Sequence, residues 1–188
     1  NFLGQVAWVA KVVDRLPAAP AGQAIQADAA SRDYHGKAVQ TDPPYYDNIG
    51  YSDLSDFFYV WLRRSLQDFQ PDLVRTMLTP KAEELVANPY RHGGNDEAQQ
   101  YFIEGFNQVF AKMREQVDHS VPLTLYYAYK QQDAEDDGKT PTGWHTLLDG
   151  LIGAGWQVTA TWPMRSELTN RLLARGRNVL ASSIVLAC

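Results

Sequence analysis

Two adjacent prolines constrain this chain more than any other feature. Pro43 and Pro44 follow the short run Ala38-Val39-Gln40-Thr41 and the acidic Asp42. Proline offers no backbone N–H to a strand ladder, and its ring fixes φ near about −65°. A buried strand over 38–41 must therefore end at the prolines. Beyond them, Leu54, Phe57, Phe58, Trp61 and Leu62 recur at helical spacing over 53–66. Ser52 or Asp53 is the expected N-cap. The order is strand, rigid turn, helix. In open α/β sheets ligands bind beyond the carboxyl ends of strands, so Asp42-Pro43-Pro44-Tyr45 stands where a site is expected.

The same alternation fills most of the chain. Phe2, Val6, Val9, Val13 and Leu16 predict a helix over 2–16, ended by Pro17, Pro20 and Gly22. A short strand is expected over 24–27. Residues 68–95 hold Pro71, Pro80, Pro89, Gly93 and Gly94 and read as a long, partly ordered insertion. Phe102, Phe106, Val109, Phe110, Met113 and Val117 form one stripe of a helix over 97–117. A strand over 121–129, a helix over 144–152 and strands over 156–162 and 179–186 follow. Strands alternating with helices predict one α/β domain over 1–188, with a mostly parallel sheet covered on both faces. The last two strands lack a clear helix between them and could pair as an antiparallel hairpin at the sheet edge. Gly150, Gly153 and Gly155 sit where a helix gives way to a strand. A phosphate or cofactor loop runs from strand to helix, so these glycines read as a helix C-cap.

Composition limits the function classes. No apolar run approaches the roughly 18 residues of a membrane span, and no signal peptide stands at the start. The chain opens without Met on an apolar run, as a piece of a longer polypeptide would. Its single cysteine, Cys188, excludes an internal disulfide framework and a cysteine-rich zinc site. A cytoplasmic origin fits. As the last residue, Cys188 is a poor candidate nucleophile. The net charge of −5 counts against nucleic-acid binding, which usually leaves a basic footprint. The distribution softens that objection. Nine acidic residues against three basic ones lie between 95 and 137. Between 163 and 178, Arg165, Arg171, Arg175 and Arg177 face a single Glu167.

The residues around the prolines suit one chemistry. An exocyclic base amine is a poor nucleophile because its lone pair is conjugated with the ring. Two acceptors aimed at its N–H bonds draw the nitrogen towards tetrahedral geometry. The Asp42 carboxylate can be one acceptor and the rigidly held Pro43 carbonyl the other, with Pro44 stiffening the turn. Tyr45 can stack on a base removed from its helix, and an electron-rich ring favours a cationic methyl donor. Such catalysis is positioning and electrostatics, with no metal and no thiol. A plain turn is the alternative for the bare four residues. The aromatic Tyr45-Tyr46-Asp47-Asn48 segment and the helix after it weigh against that.

The stretch Thr41-Asp42-Pro43-Pro44-Tyr45-Tyr46-Asp47-Asn48-Ile49, then Tyr51-Ser52-Asp53-Leu54-Ser55-Asp56-Phe57-Phe58-Tyr59-Val60-Trp61-Leu62, resembles the large prokaryotic adenine-specific DNA methylases that carry a zinc-ribbon elsewhere. Gln26-Ala27-Asp28-Ala29 and Trp162-Pro163-Met164-Arg165-Ser166-Glu167 resemble further segments of that family. The resemblance implies a Rossmann-like methyltransferase core using S-adenosylmethionine, with DNA as partner and adenine N6 as target. It gives Asp42, Pro43 and Tyr45 the roles above. It implies that Asp28 contacts the adenine amine of the cofactor, with Ala29 supplying a backbone N–H, and it points weakly to a restriction or phage-defence setting. The family's glycine-rich cofactor loop and zinc-ribbon are absent from this sequence, so the first strands with that loop would belong to the rest of the parent polypeptide.

Further expectations concern the substrate. Tyr46, Asn48, Lys130, Arg165 and Arg171 are candidates for contact with the base or nucleic-acid backbone. Tyr126, Tyr127 and Tyr129 read mainly as packing residues. Arg63-Arg64 cap their helix end against its dipole. His35, His92, His119 and His145 lack metal-ligand spacing. Asp133, Glu135, Asp136 and Asp137 read as a solvated loop. Cytosine N4 in DNA and guanine N2 in RNA remain alternative targets. A non-catalytic module of a larger assembly is the alternative of a different kind.

Overall fold

The computed structural model describes residues 1–17, 20, 22–46, 49–129, 143–164 and 182–188. Among these the chain is α/β, with helices α1 (Phe2–Val13), α2 (Tyr51–Leu66), α3 (Pro89–His92), α4 (Asn95–Gln116) and α5 (Gly143–Gly153). The strands are β1 (Gln40–Thr41), β2 (Thr124–Tyr129), β3 (Ala160–Met164) and β4 (Ser182–Ala187). They form one mixed sheet in the order β1-β2-β4-β3.

β1 runs parallel to β2, while β4 runs antiparallel to both β2 and β3. Three strands thus point one way, and their carboxyl ends share one edge of the sheet. The antiparallel pairing of the last two strands is present, but β4 lies inside the sheet and of the two only β3 lies at an edge. That position tolerates Pro163, whose missing N–H would break a central ladder.

The core follows from the α4 stripe. Ala98, Phe102, Phe106, Val109, Phe110 and Met113 are buried, and they pack with Leu147 and Leu151 of α5. From the sheet, Leu125 and Tyr127 join them, as do Ile184 and Leu186, which are their register partners across β2 and β4. These side chains alternate at the strand period of two, so the core cluster draws on one face of the sheet. On the opposite face, Val185 and Ala187 of β4 are buried as well. Trp156 is buried as expected of an apolar residue, but its indole N–H donates to the Phe110 carbonyl at 3.0 Å ahead of β3. The strand therefore begins at Ala160, not at 156. After α5, Gly155 takes φ +87°, a left-handed conformation that glycine adopts without steric cost. Gly150 and Gly153 lie within α5 itself, so this cluster is a helix and its C-terminal cap.

The expected mostly parallel sheet needs correction, since among the described strands only the β1–β2 pairing is parallel, and so does the expected strand over 24–27. Residues 24–27 are exposed and join no strand among the described residues. The α1 helix forms, but none of its residues is buried. The α2 helix likewise leaves its apolar face in water, with Phe57 at 67% and Trp61 at 62% exposure. Periodicity reports which face of a helix is apolar, and no described element covers these two faces extensively.

Polar bonds hold α2 instead. Its N-cap is Gly50, not Ser52 or Asp53. The Tyr59 hydroxyl donates to the Thr76 carbonyl at 2.8 Å, and Thr79 bonds to Asp56 and to the Ser52 carbonyl. Lys81 pairs with Asp56 at 2.5 Å. Together with bonds from Thr79, that ammonium holds the Asp56 carboxyl down at about 2. Much of 68–95 is therefore strapped along α2, and it contains the short helix α3.

Candidate active site

Asp42 leaves β1 at its carboxyl end and is exposed, while Pro43, Pro44, Tyr45 and Tyr46 are half-buried. The register pairs Thr41 with Leu125, which brings the loop beside Tyr127 of β2. The Tyr45 ring meets Tyr127 edge-on at 5.1 Å and Tyr51 of α2 at 6.3 Å. Edge-to-face contacts at these separations suit the aromatic quadrupole. The Tyr45 hydroxyl donates to Asp42 Oδ1 at 3.2 Å. The strand and the helix thus fix Tyr45, and Tyr45 fixes one oxygen of Asp42. Asp42, Pro43, Pro44, Tyr45, Tyr51 and Glu84 line a cavity of ≈ 390 Å³. Burial pushes the Tyr51 phenol above its ordinary pKa; a backbone hydrogen bond at Tyr45 opposes the rise, and the Asp42 and Glu84 carboxylates add to it. Tyr51 therefore stays protonated, as a donor, at neutral pH.

Glu84 enters this cavity from the strapped segment. Its carboxylate accepts from the Ser52 backbone N–H at 2.8 Å, the Ser52 hydroxyl at 2.7 Å and Arg91 Nη1 at 2.6 Å. It serves as the side-chain acceptor for the first turn of α2 and complements the positive end of the helix dipole. Burial alone would raise the Glu84 carboxyl, but the bonds from Ser52 and Arg91 outweigh it and hold the group below its ordinary value. Arg91 also pairs with Asp53.

A second cavity, of ≈ 510 Å³, is lined by Gln26, Ala27, Asp28 and Ala29 on one side. Pro44 and Glu84 line it as well, so it adjoins the Asp42 cavity through residues common to both. Asp28 Oδ1 accepts from the Ala30 N–H at 2.9 Å, which makes the segment a turn rather than the end of a strand. Oδ2 has no hydrogen bond among the described residues. The turn is tied to α4: Lys112 Nζ donates to the Ser31 carbonyl at 2.7 Å, and the Tyr34 hydroxyl donates to the Ala29 carbonyl at 2.8 Å while its N–H donates to Gln116 at 3.1 Å.

Tyr46 packs inward. Its ring meets Phe102 of α4 edge-on at 5.1 Å, and its carbonyl accepts from the Ala87 N–H at 2.8 Å. The first residue of α5, Gly143, approaches so closely that a Cβ there would lie 2.4 Å from Tyr46 Cβ and 3.1 Å from the Tyr127 hydroxyl. Tyr127 is buried and tilts against Trp144 at 5.7 Å, so it is a packing residue that also supports Tyr45. Asn48, Lys130, Arg165 and Arg171 lie outside the described residues, as do Arg175, Arg177 and the acidic residues from Asp133 to Asp137. In sequence, Lys130 and Arg165 directly follow the carboxyl ends of β2 and β3.

The fold brings the sequence-predicted residues Asp28, Ala29, Asp42, Pro43, Pro44, Tyr45 and Tyr46 into one region, and sequence reasoning did not find every residue there. It missed Tyr51, Glu84 and Arg91. Glu84 and Arg91 sit in a proline-rich stretch with no periodic pattern, and only their distant partners at Ser52 and Asp53 give them a place. Cys188 is held more firmly than a chain end suggests, because Leu123 and Cys188 exchange both backbone hydrogen bonds at 2.9 Å. Burial pushes its thiol up to about 11, so it is inert for that reason. Comparison with models of known families, with curated proteins and with solved structures finds no match for the chain.

Proposed function

We propose that this chain holds the target-amine side of an active site that methylates an exocyclic base amine, adenine N6 in DNA, with S-adenosylmethionine as donor. The observation that carries the reading is the position of Asp42-Pro43-Pro44-Tyr45 at the carboxyl end of a strand parallel to its neighbour, lining a cavity that adjoins the Asp28–Ala29 cavity. The sheet is read as part of a Rossmann-like core, an interpretation supported by its three codirectional strands and the single opposed β4. Among the described residues no helix is long and apolar enough to cross a membrane.

The residues present fit the donor. Asp28 has an oxygen available to accept from an adenine amine, and its cavity lies within the volume range of small-molecule sites. Bound there, S-adenosylmethionine would supply an electrophilic methyl group. The chain's own residues handle the amine. Asp42 Oδ1 is engaged by Tyr45, which leaves Oδ2 to accept one amine N–H. The Pro43 carbonyl accepts the other, held by the flanking ring of Pro44. Together they raise electron density on the nitrogen and stabilise the positive charge that develops there as it is alkylated. The surplus proton is then held at Asp42 before release to water. Tyr45, fixed by Tyr127 and Tyr51, offers a preorganised aromatic surface to an extruded base.

The test is product identity. Double-stranded and single-stranded DNA and RNA are incubated with the full-length protein and methyl-labelled S-adenosylmethionine, then digested to nucleosides. N6-methyladenine as the labelled product supports the reading. Label in N4-methylcytosine or N2-methylguanine moves the target but keeps the chemistry. No labelled nucleoside from any substrate refutes it.

A further inference from the structure

A cavity of ≈ 620 Å³ lies beside the candidate site and shares Tyr46 with the Asp42 loop. Among its lining residues are the three carboxamides Asn88, Asn95 and Gln99, together with Asp96 and Tyr90. Tyr90 is 99% exposed. An aromatic ring wholly in water contributes nothing to the core, so packing gives no reason for it.

The position of Tyr90 is nevertheless well fixed. It belongs to α3, which is N-capped by Asn88, whose Oδ1 accepts from the Tyr90 N–H at 3.0 Å, and C-capped by Gly93 with φ +88°. Its neighbour Arg91 is anchored to Glu84 and Asp53. Ala87, just before it, donates to the Tyr46 carbonyl. An exposed aromatic residue is thus held at a set distance from the Asp42 loop.

We propose that this cavity binds a second, unstacked nucleobase, a neighbour in the strand of the base whose amine meets Asp42, with Tyr90 as its stacking surface. The proposal rests on the nucleobase reading of the Asp42 site. The lining chemistry selects a base over a phosphate. The carboxamides of Asn95 and Gln99 present a donor and an acceptor side by side, the pattern that matches base edges, while Asn88 Oδ1 is engaged by the Tyr90 N–H. Among the described residues neither Lys nor Arg lines it, and Asp96 would repel a phosphate while accepting from a base amine. Stacking on an aromatic ring is tolerant of base identity and fits a strand whose bases are splayed apart. The residues flanking the cavity would then sense the base next to the target.

The experiment uses the whole chain and short single-stranded oligodeoxynucleotides carrying 2-aminopurine next to a central adenine. Binding should quench the probe, and Tyr90→Ala should abolish that quenching and weaken affinity roughly 5- to 100-fold. Tyr90→Phe should retain both, and the thermal unfolding of both variants should match the parent, since Tyr90 is not packed. Unchanged affinity and quenching in Tyr90→Ala overturns the proposal, as does the absence of oligonucleotide binding by the parent. The two readings fail separately. Methyl transfer that Tyr90→Ala leaves unchanged, with unchanged binding, removes the second base site and keeps the methyltransferase. Tyr90-dependent stacking with no methyl transfer to any nucleic acid does the reverse.

Discussion

Glu84→Ala should destabilise the protein by about 3 kcal/mol. The carboxylate accepts three hydrogen bonds, two from Ser52 and one from Arg91. The Glu84 and Arg91 side chains are only 10% and 19% exposed, so water screens the pair weakly. A hydrogen bond to a charged group contributes about 1.5–3 kcal/mol, but the three share one carboxylate and do not add. Arg91 keeps Asp53, which softens its loss, whereas the Ser52 N–H at the start of α2 loses its acceptor. For a chain of this size about 3 kcal/mol lowers Tm by roughly 6–12 °C. Differential scanning calorimetry at neutral pH measures this, and a double-mutant cycle with Arg91→Ala isolates the ion pair. The pH dependence has a definite sign. Glu84 is held below the ordinary carboxylate value of 4.5, so its contribution is fully present above 4.5 and is lost as pH falls through the folded value. Parent and variant should therefore converge in acid. A Tm change below about 1 °C, or a gap that stays constant into acid, would refute the assignment of Glu84 as the clamp on α2.

Two further consequences concern packing. Gly143→Ala places a methyl group against Tyr46 Cβ, an atom that cannot swing aside, and should cost about 1–3 kcal/mol by calorimetry; a variant as stable as the parent would show that α5 does not press on Tyr46. The Cys188 thiol, raised from 9.0 to about 11, should react with iodoacetamide at pH 8 about 100-fold more slowly in the folded protein than in denaturant; equal rates would contradict its burial.

The strand–loop–helix unit around Asp42 was legible because two prolines and a period switch mark it locally. Helix α4 was legible for the same reason, since Phe102, Phe106 and Phe110 repeat along one face and are in fact buried. The faces of α1 and α2 show the limit of that signal. Leu54, Phe57 and Trp61 have the right spacing, yet spacing says nothing about whether another element covers them. Residues 24–27 failed as a strand because a short apolar run carries no information about a partner strand, and Asp28 instead closes a turn on the Ala30 N–H. Glu84 and Arg91 were invisible for a different reason. Their role depends on contacts with Ser52 and Asp53 across more than thirty residues, in a segment whose prolines argued for irregular chain. Local chemistry marked the amine-facing residues, and long-range hydrogen bonding marked the residues that hold them.

The central claim is that Asp42 supplies an acceptor for the base amine. The most direct measurement is the single-turnover rate of methyl transfer to DNA by the parent and by Asp42→Ala at equal, saturating S-adenosylmethionine. Asp42 is exposed, and among the described residues its side chain bonds only to Tyr45, so the substitution should leave the fold intact. Loss of one preorganised acceptor should lower the rate by roughly 100- to 1,000-fold while DNA affinity changes little. A rate within about threefold of the parent, with the fold unchanged, would contradict the account.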